Sequence, residues 1–193
     1  GAYIKGNTLI KALTFGGHEK TYQSWFGVTK EQLLENRRQN PYTYENEIDN
    51  YKQDHYQFHW NQKLNQKWST NLGLNYTYGR GYFEQFRDDD SIETYGGIVV
   101  SDIDQQGNKT GTTDLIRRRW LDNNFYVLNA SANYKTSKLN LTFNSSFSNY
   151  SGDHYGEVIW ARNFNENSSV RDRYYNGNGK KTDFSVFAKA SYL

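Results

Sequence analysis

The chain has 193 residues, and its formal net charge of +2 gives no broad basic field that would indicate a nucleic-acid partner. Only 35% of the residues are hydrophobic, yet 17% are aromatic, which excludes ordinary disorder because disordered chains are poor in aromatics. The chain has no Cys, so no disulfide or thiolate chemistry is expected. It also has no run of about 18 apolar residues, so no transmembrane helix is predicted. Gly1 begins the chain without a Met or a signal peptide, so we expect a processed chain or an excised piece.

The first predicted strand covers residues 4–15, where polar and apolar residues alternate weakly. A long connection over residues 16–47 follows it. Within this connection Thr29 and Gln32 have the spacing of a capping box, which predicts a short helix that ends before Pro41.

The second and third predicted strands, over residues 48–64 and 67–86, form the clearest pair, with a short turn near Asn65 between them. Over residues 68–78 one parity carries Trp, Leu and Tyr, and the other carries Ser, Asn, Gly and Thr. Because alternate residues of a strand point to opposite faces, this pattern predicts one apolar and one wet face.

A second long connection, over residues 87–123, carries its own hairpin signal. Two β-prone segments, 98–100 and 112–120, flank Gly107 and Asn108, which predicts a ribbon standing above the sheet.

The fourth and fifth predicted strands, over residues 124–134 and 139–160, are joined by a tight turn at 136–137. A third long loop covers residues 161–182, and the sixth strand covers 184–193. All three strands alternate between apolar side chains and small polar ones.

The connections alternate between long and short, so antiparallel strands place all the long ones at one end of the sheet. Short periplasmic turns and long extracellular loops are typical of membrane barrels. Two predicted strands approach 20 residues, whereas a soluble strand has about 5–6. The sequence therefore predicts an all-β fold, an antiparallel up-and-down transmembrane β-barrel segment of about six long strands.

Five segments carry a resemblance to a known family. They cover residues 18–28, 40–46, 82–86, 117–123 and 153–161. These segments resemble the barrel of TonB-dependent outer-membrane receptors of the Bacteroidetes type, and the similarity runs along almost the whole chain.

The resemblance implies a barrel of about 22 strands around an N-terminal plug. It implies energised import of an iron–siderophore complex, haem, cobalamin or a glycan across the bacterial outer membrane. Residues 1–193 would then be a partial barrel domain without the plug, non-enzymatic, and without a cofactor. The expected partners are outer-membrane lipid and lipopolysaccharide, the remaining barrel strands, and TonB through the missing N-terminal part; nucleic acid is not expected.

His55 and His59 lie four residues apart on one predicted strand and therefore share a face. They are either a metal or haem contact in the lumen or two lumen-lining polar residues. We favour the second interpretation and predict no metal site, because two histidines without a carboxylate partner bind metal poorly.

Arg117, Arg118 and Arg119 form the densest basic cluster, next to Trp120. The cluster either meets the phosphates of lipopolysaccharide or an anionic siderophore, or it pairs with Asp88–Asp90 in the same loop. Asp88–Asp90 lacks the spaced ligands of a calcium loop, so solvated loop charge is the favoured interpretation.

Aromatic side chains of the first long loop, Trp25 among them, either stack on a sugar or chelate or pack the loop against its neighbours. The candidate ligand contacts are His55, His59, Trp25, Arg117, Arg118, Trp120 and His154. No catalytic residue is predicted.

Two other hypotheses stay open at this level. One is a soluble aromatic-rich β-sheet module that binds carbohydrate, and the other is a small self-contained barrel. About eight strands are the minimum for a membrane barrel, which disfavours the latter. An open six-stranded sheet has two free edges, so we expect the isolated piece to aggregate or to associate with other strands.

Overall fold

The computed structural model describes residues 1–192. Seven strands form one antiparallel sheet in which each strand pairs with the next along the chain. The strands are β1 (Ala2–Lys5), β2 (Thr8–Tyr22), β3 (Ile48–Lys63), β4 (Trp68–Ser91), β5 (Thr112–Lys135), β6 (Leu139–Ala161) and β7 (Arg173–Tyr192). Among the described residues β1 and β7 do not pair, so the sheet is unclosed. The all-β, up-and-down prediction is confirmed, with seven strands in place of about six.

The predicted short helix is confirmed as α1 (Lys30–Glu35). Thr29 caps it, and the reciprocal bonds between Thr29 and Gln32 complete the capping box. A single 3-10 turn, Ile92–Tyr95, opens the second long loop. No helix within residues 1–192 is long and apolar enough to cross a membrane.

The single first strand predicted over residues 4–15 is wrong. The chain turns at Gly6 and Asn7, so that β1 and β2 form a hairpin of their own. Gly6 takes a φ of 54°, the left-handed conformation that glycine adopts without steric cost. β2 then continues to Tyr22, seven residues beyond the predicted end.

The ribbon predicted above the sheet is wrong in its second half. Residues 112–120 begin β5 and pair with β4, where Thr112 lies opposite Ser91 and Trp120 opposite Tyr82. Of the ribbon there remain a bridge between Ile103 and Lys109 and a backbone bond of 2.9 Å from the Asp102 N–H to the Thr112 carbonyl. β7 likewise starts at residue 173 instead of 184. Charged residues occupy both parities in these extensions, so hydrophobic alternation does not mark them.

The two faces of the sheet differ in chemistry, as predicted. Tyr56, Tyr76 and Tyr126 lie directly opposite one another on β3, β4 and β5, with successive ring centroids 5.8 and 4.8 Å apart. We call their side the banded face. The other residues of β4, such as Asn71 and Gly73, point to the opposite, polar face.

A second aromatic row lies on the banded face near the short turns, where Trp68 and Tyr134 contact each other at 5.0 Å. On both β4 and β5 a stretch of nine residues, ends included, joins the two rows. The side chains between them on this face are Thr, Leu and Ala on these two strands, and on β3 they include Phe58 and Trp60. An apolar band bounded by aromatics therefore crosses the middle of the sheet.

The buried core lies at the long-loop end of the molecule. Tyr95, Leu115 and Val158 are fully buried, and Ile98, Val99 and Ala161 join them. A bridge between Val99 and Phe164 connects the second and third long loops. These two loops therefore form one packed cap over the ends of β5 and β6.

Candidate functional site

A cluster of rings and amides occupies the polar face near the long loops. Its members are Tyr51, Asn123, Tyr150 and His154, all half-buried, and we call them the tyrosine cluster. Tyr51 lies over Gly79 and Gly81 of β4, and Tyr150 lies over Gly152 of β6. A Cβ at any of these glycines would collide with the ring above it. Glycine therefore lets both rings lie along the sheet towards Asn123.

Asn123 is the centre of the tyrosine cluster. Its Nδ2 donates to the Tyr51 hydroxyl over 3.1 Å, and its Oδ1 accepts from the Tyr150 hydroxyl over 2.6 Å. His154 Nε2 lies 3.3 Å from the Tyr150 hydroxyl. These bonds fix ring positions across β3, β5 and β6, and an ordered surface of this kind binds ligands with little entropic cost.

Arg119 lies on the same face beside the tyrosine cluster. Its Nε donates to the Tyr175 hydroxyl over 3.2 Å, and the guanidinium lies 5.3 Å from the Phe83 ring centre. Arg119 is exposed, so a cation supported by aromatic rings faces the solvent here.

A bulge brings two tyrosines to one position of this face. The register of β6 and β7 shifts between Gly156 and Glu157, and Tyr174 is the extra residue. Tyr174 and Tyr175 contact each other at 5.0 Å, and a Cβ at Gly156 would collide with both rings. Gly156 therefore makes the space that the bulge requires.

We expect Gly156→Ala to lower the free energy of unfolding by about 1–3 kcal/mol, the usual cost of overpacking. Gly177→Ala is the matched control, because the nearest atom to its added Cβ lies 3.8 Å away. Urea unfolding of both variants measures the difference. Equal midpoints would contradict the steric role of Gly156.

The alternation of β5 divides the predicted basic cluster between the two faces. Arg117 and Arg119 point to the polar face, and Arg118 and Trp120 point to the banded face. These side chains therefore do not form one binding patch.

Arg117 is held by the cap. Its Nε and one terminal nitrogen donate to Gln85 Oε1 over 3.2 and 2.9 Å, and the other donates to the Tyr95 hydroxyl over 3.2 Å. Asp90 lies 3.9 Å away, so part of the predicted pairing with Asp88–Asp90 forms. The Arg117 side chain is 14% exposed and serves the structure of the loops.

Arg118 forms a buried ion pair with Glu84 on the other face. Its Nε lies 2.7 Å from Glu84 Oε2, and Glu84 is only 3% exposed. The Tyr44 hydroxyl donates to Glu84 Oε1 over 2.5 Å, which ties the first long loop to this pair. Burial, together with the neighbouring Glu84 carboxylate, raises the pKa of Tyr44 to about 12.

The raised pKa of Tyr44 predicts a loss of stability at high pH. The contribution is complete below the ordinary tyrosine pKa of 10.0 and disappears as the pH rises through about 12. We expect Tyr44→Phe to lose stability at neutral pH and to show a weaker decline over that alkaline range. Urea midpoints of both proteins across the range measure this, and identical pH profiles would contradict it.

Trp120 is enclosed by its neighbours. Tyr82 lies 4.6 Å from its ring centre and Tyr155 stacks on it at 5.8 Å, while the Arg80 guanidinium lies over the ring at 5.2 Å. The indole nitrogen donates to Glu157 Oε2 over 3.0 Å. Most of the Trp120 ring is therefore engaged in contacts within the protein.

His55 and His59 share the polar face, as predicted. His55 stacks on Phe15 at 4.7 Å, and its Nδ1 lies 3.0 Å from the Thr77 hydroxyl. His59 Nε2 lies 3.3 Å from Gln57 Oε1. Four residues of strand separate the two histidines by about 13 Å, too far for one ion. Within residues 1–192 no group of three or more His, Cys, Asp or Glu side chains has the arrangement of a metal site.

Trp25 anchors the first long loop. It contacts Phe83 at 5.0 Å, and its indole nitrogen donates to the buried Glu47 over 2.5 Å. At the end of β4 Asp90 accepts from Arg87 over 2.9 Å and from the Tyr95 hydroxyl of the second long loop over 2.6 Å. Burial raises the pKa of Asp90, but these bonds outweigh it and hold the pKa below its ordinary value.

The polar face of the long-loop end offers ring surfaces, hydroxyls, an amide and the Arg119 cation. Such groups bind a ligand by stacking and hydrogen bonding. Of the predicted ligand contacts, only His154 belongs to this cluster. The sequence signal for Asn123 and Arg119 is their shared parity on one strand. The rings are marked only by glycines on neighbouring strands, and the pattern of a single strand does not show that relation.

Comparisons of the chain with protein-family models, with curated proteins and with solved structures found no match.

Proposed function

We propose that this chain is part of the wall of a bacterial outer-membrane β-barrel that imports a large, scarce nutrient with energy from TonB. The observation that carries the proposal is the pair of aromatic rows on the banded face. Nine residues span them on β4 and on β5, and a tilted membrane strand needs about 9–11. Aromatic girdles at both interfaces are characteristic of such barrels.

The side chains of the band support contact with lipid. Phe143 is 46% exposed, and Phe184 and Val186 are each 67% exposed. An apolar surface continuous over several strands is costly in water and is rare on soluble monomers. Hydrocarbon around the barrel removes that cost.

The polar face supports contact with water at the same level. Opposite the band β4 carries Ser69, Asn71, Gly73 and Asn75, and β6 continues with Thr, Asn and Ser. Small polar residues on the inner side of a strand are typical of a wet lumen.

The strands extend beyond the band at one end only. β4 begins at Trp68, in the lower aromatic row, but continues 15 residues past Tyr76 to Ser91. Extracellular strand ends and loops of outer-membrane barrels project in this way, whereas periplasmic turns stay short. We therefore orient the turn at residues 64–67 towards the periplasm.

Import is supported by the position of the tyrosine cluster and Arg119. They lie on the lumen side between the band and the long loops, where a descending nutrient passes. The cargo classes implied by the family resemblance are iron–siderophore complexes, haem, cobalamin and glycans. The remaining strands and the TonB-contacting part would come from outside this chain, and lipid and lipopolysaccharide would surround it.

A soluble carbohydrate-binding module is less well supported. Trp120 and its neighbours, the best candidates for sugar stacking, cover one another's rings. Within residues 1–192 the only α-helix has six residues, so no second layer covers the apolar band.

Labelling of intact cells tests location and orientation. The chain has no natural Cys, so Asn108→Cys and Gln66→Cys each introduce one unique thiol. A membrane-impermeant maleimide should label position 108 on intact cells and position 66 only after lysis. Labelling of both positions on intact cells, or of neither, would contradict the proposal.

Import itself is tested by growth and uptake. Cells that lack the protein should fail to grow on one of these nutrients as the limiting source, and dissipation of the proton-motive force should stop its uptake. Energy-independent uptake would contradict a TonB-dependent role.

A further inference from the structure

Charge is distributed very unevenly along the strands. The turn-end half, from the Tyr76 row to the short turns, comprises residues 1–14, 56–76, 126–149 and 182–192. It holds seven lysines and no arginine, and its one acidic residue, Asp183, lies at its upper boundary. The ion pairs found among residues 1–192 all join residues of the other half.

Five of these lysines border the short turns, and all five are exposed. They are Lys5, Lys63, Lys67, Lys135 and Lys138, the rim lysines. Lys67, just before β4, and Lys135, at the end of β5, are neighbours in the sheet. The Lys135 N–H donates to the Lys67 carbonyl over 2.8 Å. Like charges in such positions repel each other. An anion beside the rim would remove that repulsion.

Two of the rim lysines are chain neighbours of the lower aromatic row, on its short-turn side. Lys67 precedes Trp68 and Lys135 follows Tyr134 in the chain. Aromatic side chains next to lysines mark the boundary between hydrocarbon and headgroups. Lysine near an anionic leaflet gains about 1 kcal/mol, or about fivefold in binding, per residue.

We propose that the rim lysines bind the phosphate groups of anionic glycerophospholipids in the leaflet on the short-turn side. This inference rests on the proposed membrane location. An acidic polypeptide is the competing occupant. The position of Lys67 and Lys135 next to the lower aromatic row favours lipid, because headgroups lie where an apolar band ends.

Vesicle flotation of the whole chain tests the proposal, with phosphatidylcholine vesicles and with the same lipid mixed with phosphatidylglycerol. The rim variant carries Lys63→Gln, Lys67→Gln, Lys135→Gln and Lys138→Gln. A control with the same charge change carries Lys20→Gln, Lys30→Gln, Lys180→Gln and Lys181→Gln, exposed lysines of the other half.

We expect the wild-type chain and the control to bind anionic vesicles more tightly than neutral ones. In the rim variant this ratio of affinities should fall by roughly several hundredfold. Equal losses in both variants, no preference in the wild type, or tighter binding to soluble polyglutamate than to anionic vesicles would overturn the proposal. Failure of the wild type to float with either vesicle would instead refute the membrane location. Binding to both vesicles without preference would refute the lipid site alone.

Discussion

Leu72→Arg is expected to abolish stable assembly of the chain in lipid vesicles. Leu72 lies midway between Trp68 and Tyr76 on the banded face, opposite Trp60 and Ala130. An arginine at the bilayer midplane of a membrane barrel costs about 2–4 kcal/mol. The fraction of chain that resists extraction from vesicles by urea measures the effect.

Asn71→Arg is the matched control for this substitution. Asn71 is the adjacent residue, is exposed, and points to the polar face beside Ser131. A positive charge there stays in water, so we expect assembly close to that of the wild type. Equal tolerance of arginine at positions 71 and 72 would refute the assignment of the two faces.

Arg118→Met is expected to lower the free energy of unfolding by about 3–5 kcal/mol, since it leaves a buried carboxylate without its cation. Glu84 is 3% exposed, and after the substitution the Tyr44 hydroxyl is its remaining side-chain hydrogen-bond donor. The loss should release the first long loop as well. Urea unfolding in micelles gives the free energy, and proteolysis within residues 23–47 reports the loop.

Two further variants separate the ion pair from the loss of an arginine as such. Glu84→Gln in the Arg118→Met background removes the stranded charge and should recover most of the stability. Arg119→Met, one residue along on the exposed polar side, should cost about 1 kcal/mol, the value of a cation–π contact. Equal losses at positions 118 and 119 would contradict the buried pair.

Much of the fold was predictable from the sequence where one face is apolar. Within the band the alternation along β3, β4, β5 and β6 located the strands, because leucines and aromatics share one parity. Above the band this signal disappears. Residues 112–123 pair with β4 except at Asp114, where the register shifts, yet charged side chains occupy both faces. Hydrophobicity does not distinguish such a strand from a loop.

The candidate site was much less predictable. A dense run such as Arg117–Arg119 suggests one basic patch, but a strand places consecutive residues on opposite faces of the sheet. One of the three cations packs into the cap, one pairs with Glu84, and only Arg119 faces the polar side in the open. The tyrosine cluster depends on register, because Tyr51 reaches Asn123 across glycines of the strand between them.

The electrostatic arrangement of the loops differs from that of the rim. The long-loop half uses arginines paired with carboxylates, which fixes its geometry. The rim uses unpaired, exposed lysines within residues 1–192. Pairing suits loops that hold a binding surface in place, and unpaired lysines suit a surface that meets anions outside the chain.

We expect alternate residues of β4 to face lipid and water. Because the chain has no Cys, single cysteines at positions 71 to 75 can each carry a spin label in vesicles. Apolar oxygen should collide most with labels at 72 and 74, and a water-soluble nickel chelate should collide most with labels at 71, 73 and 75. Nickel collisions that are equal along the series, or highest at 72 and 74, would contradict this expectation.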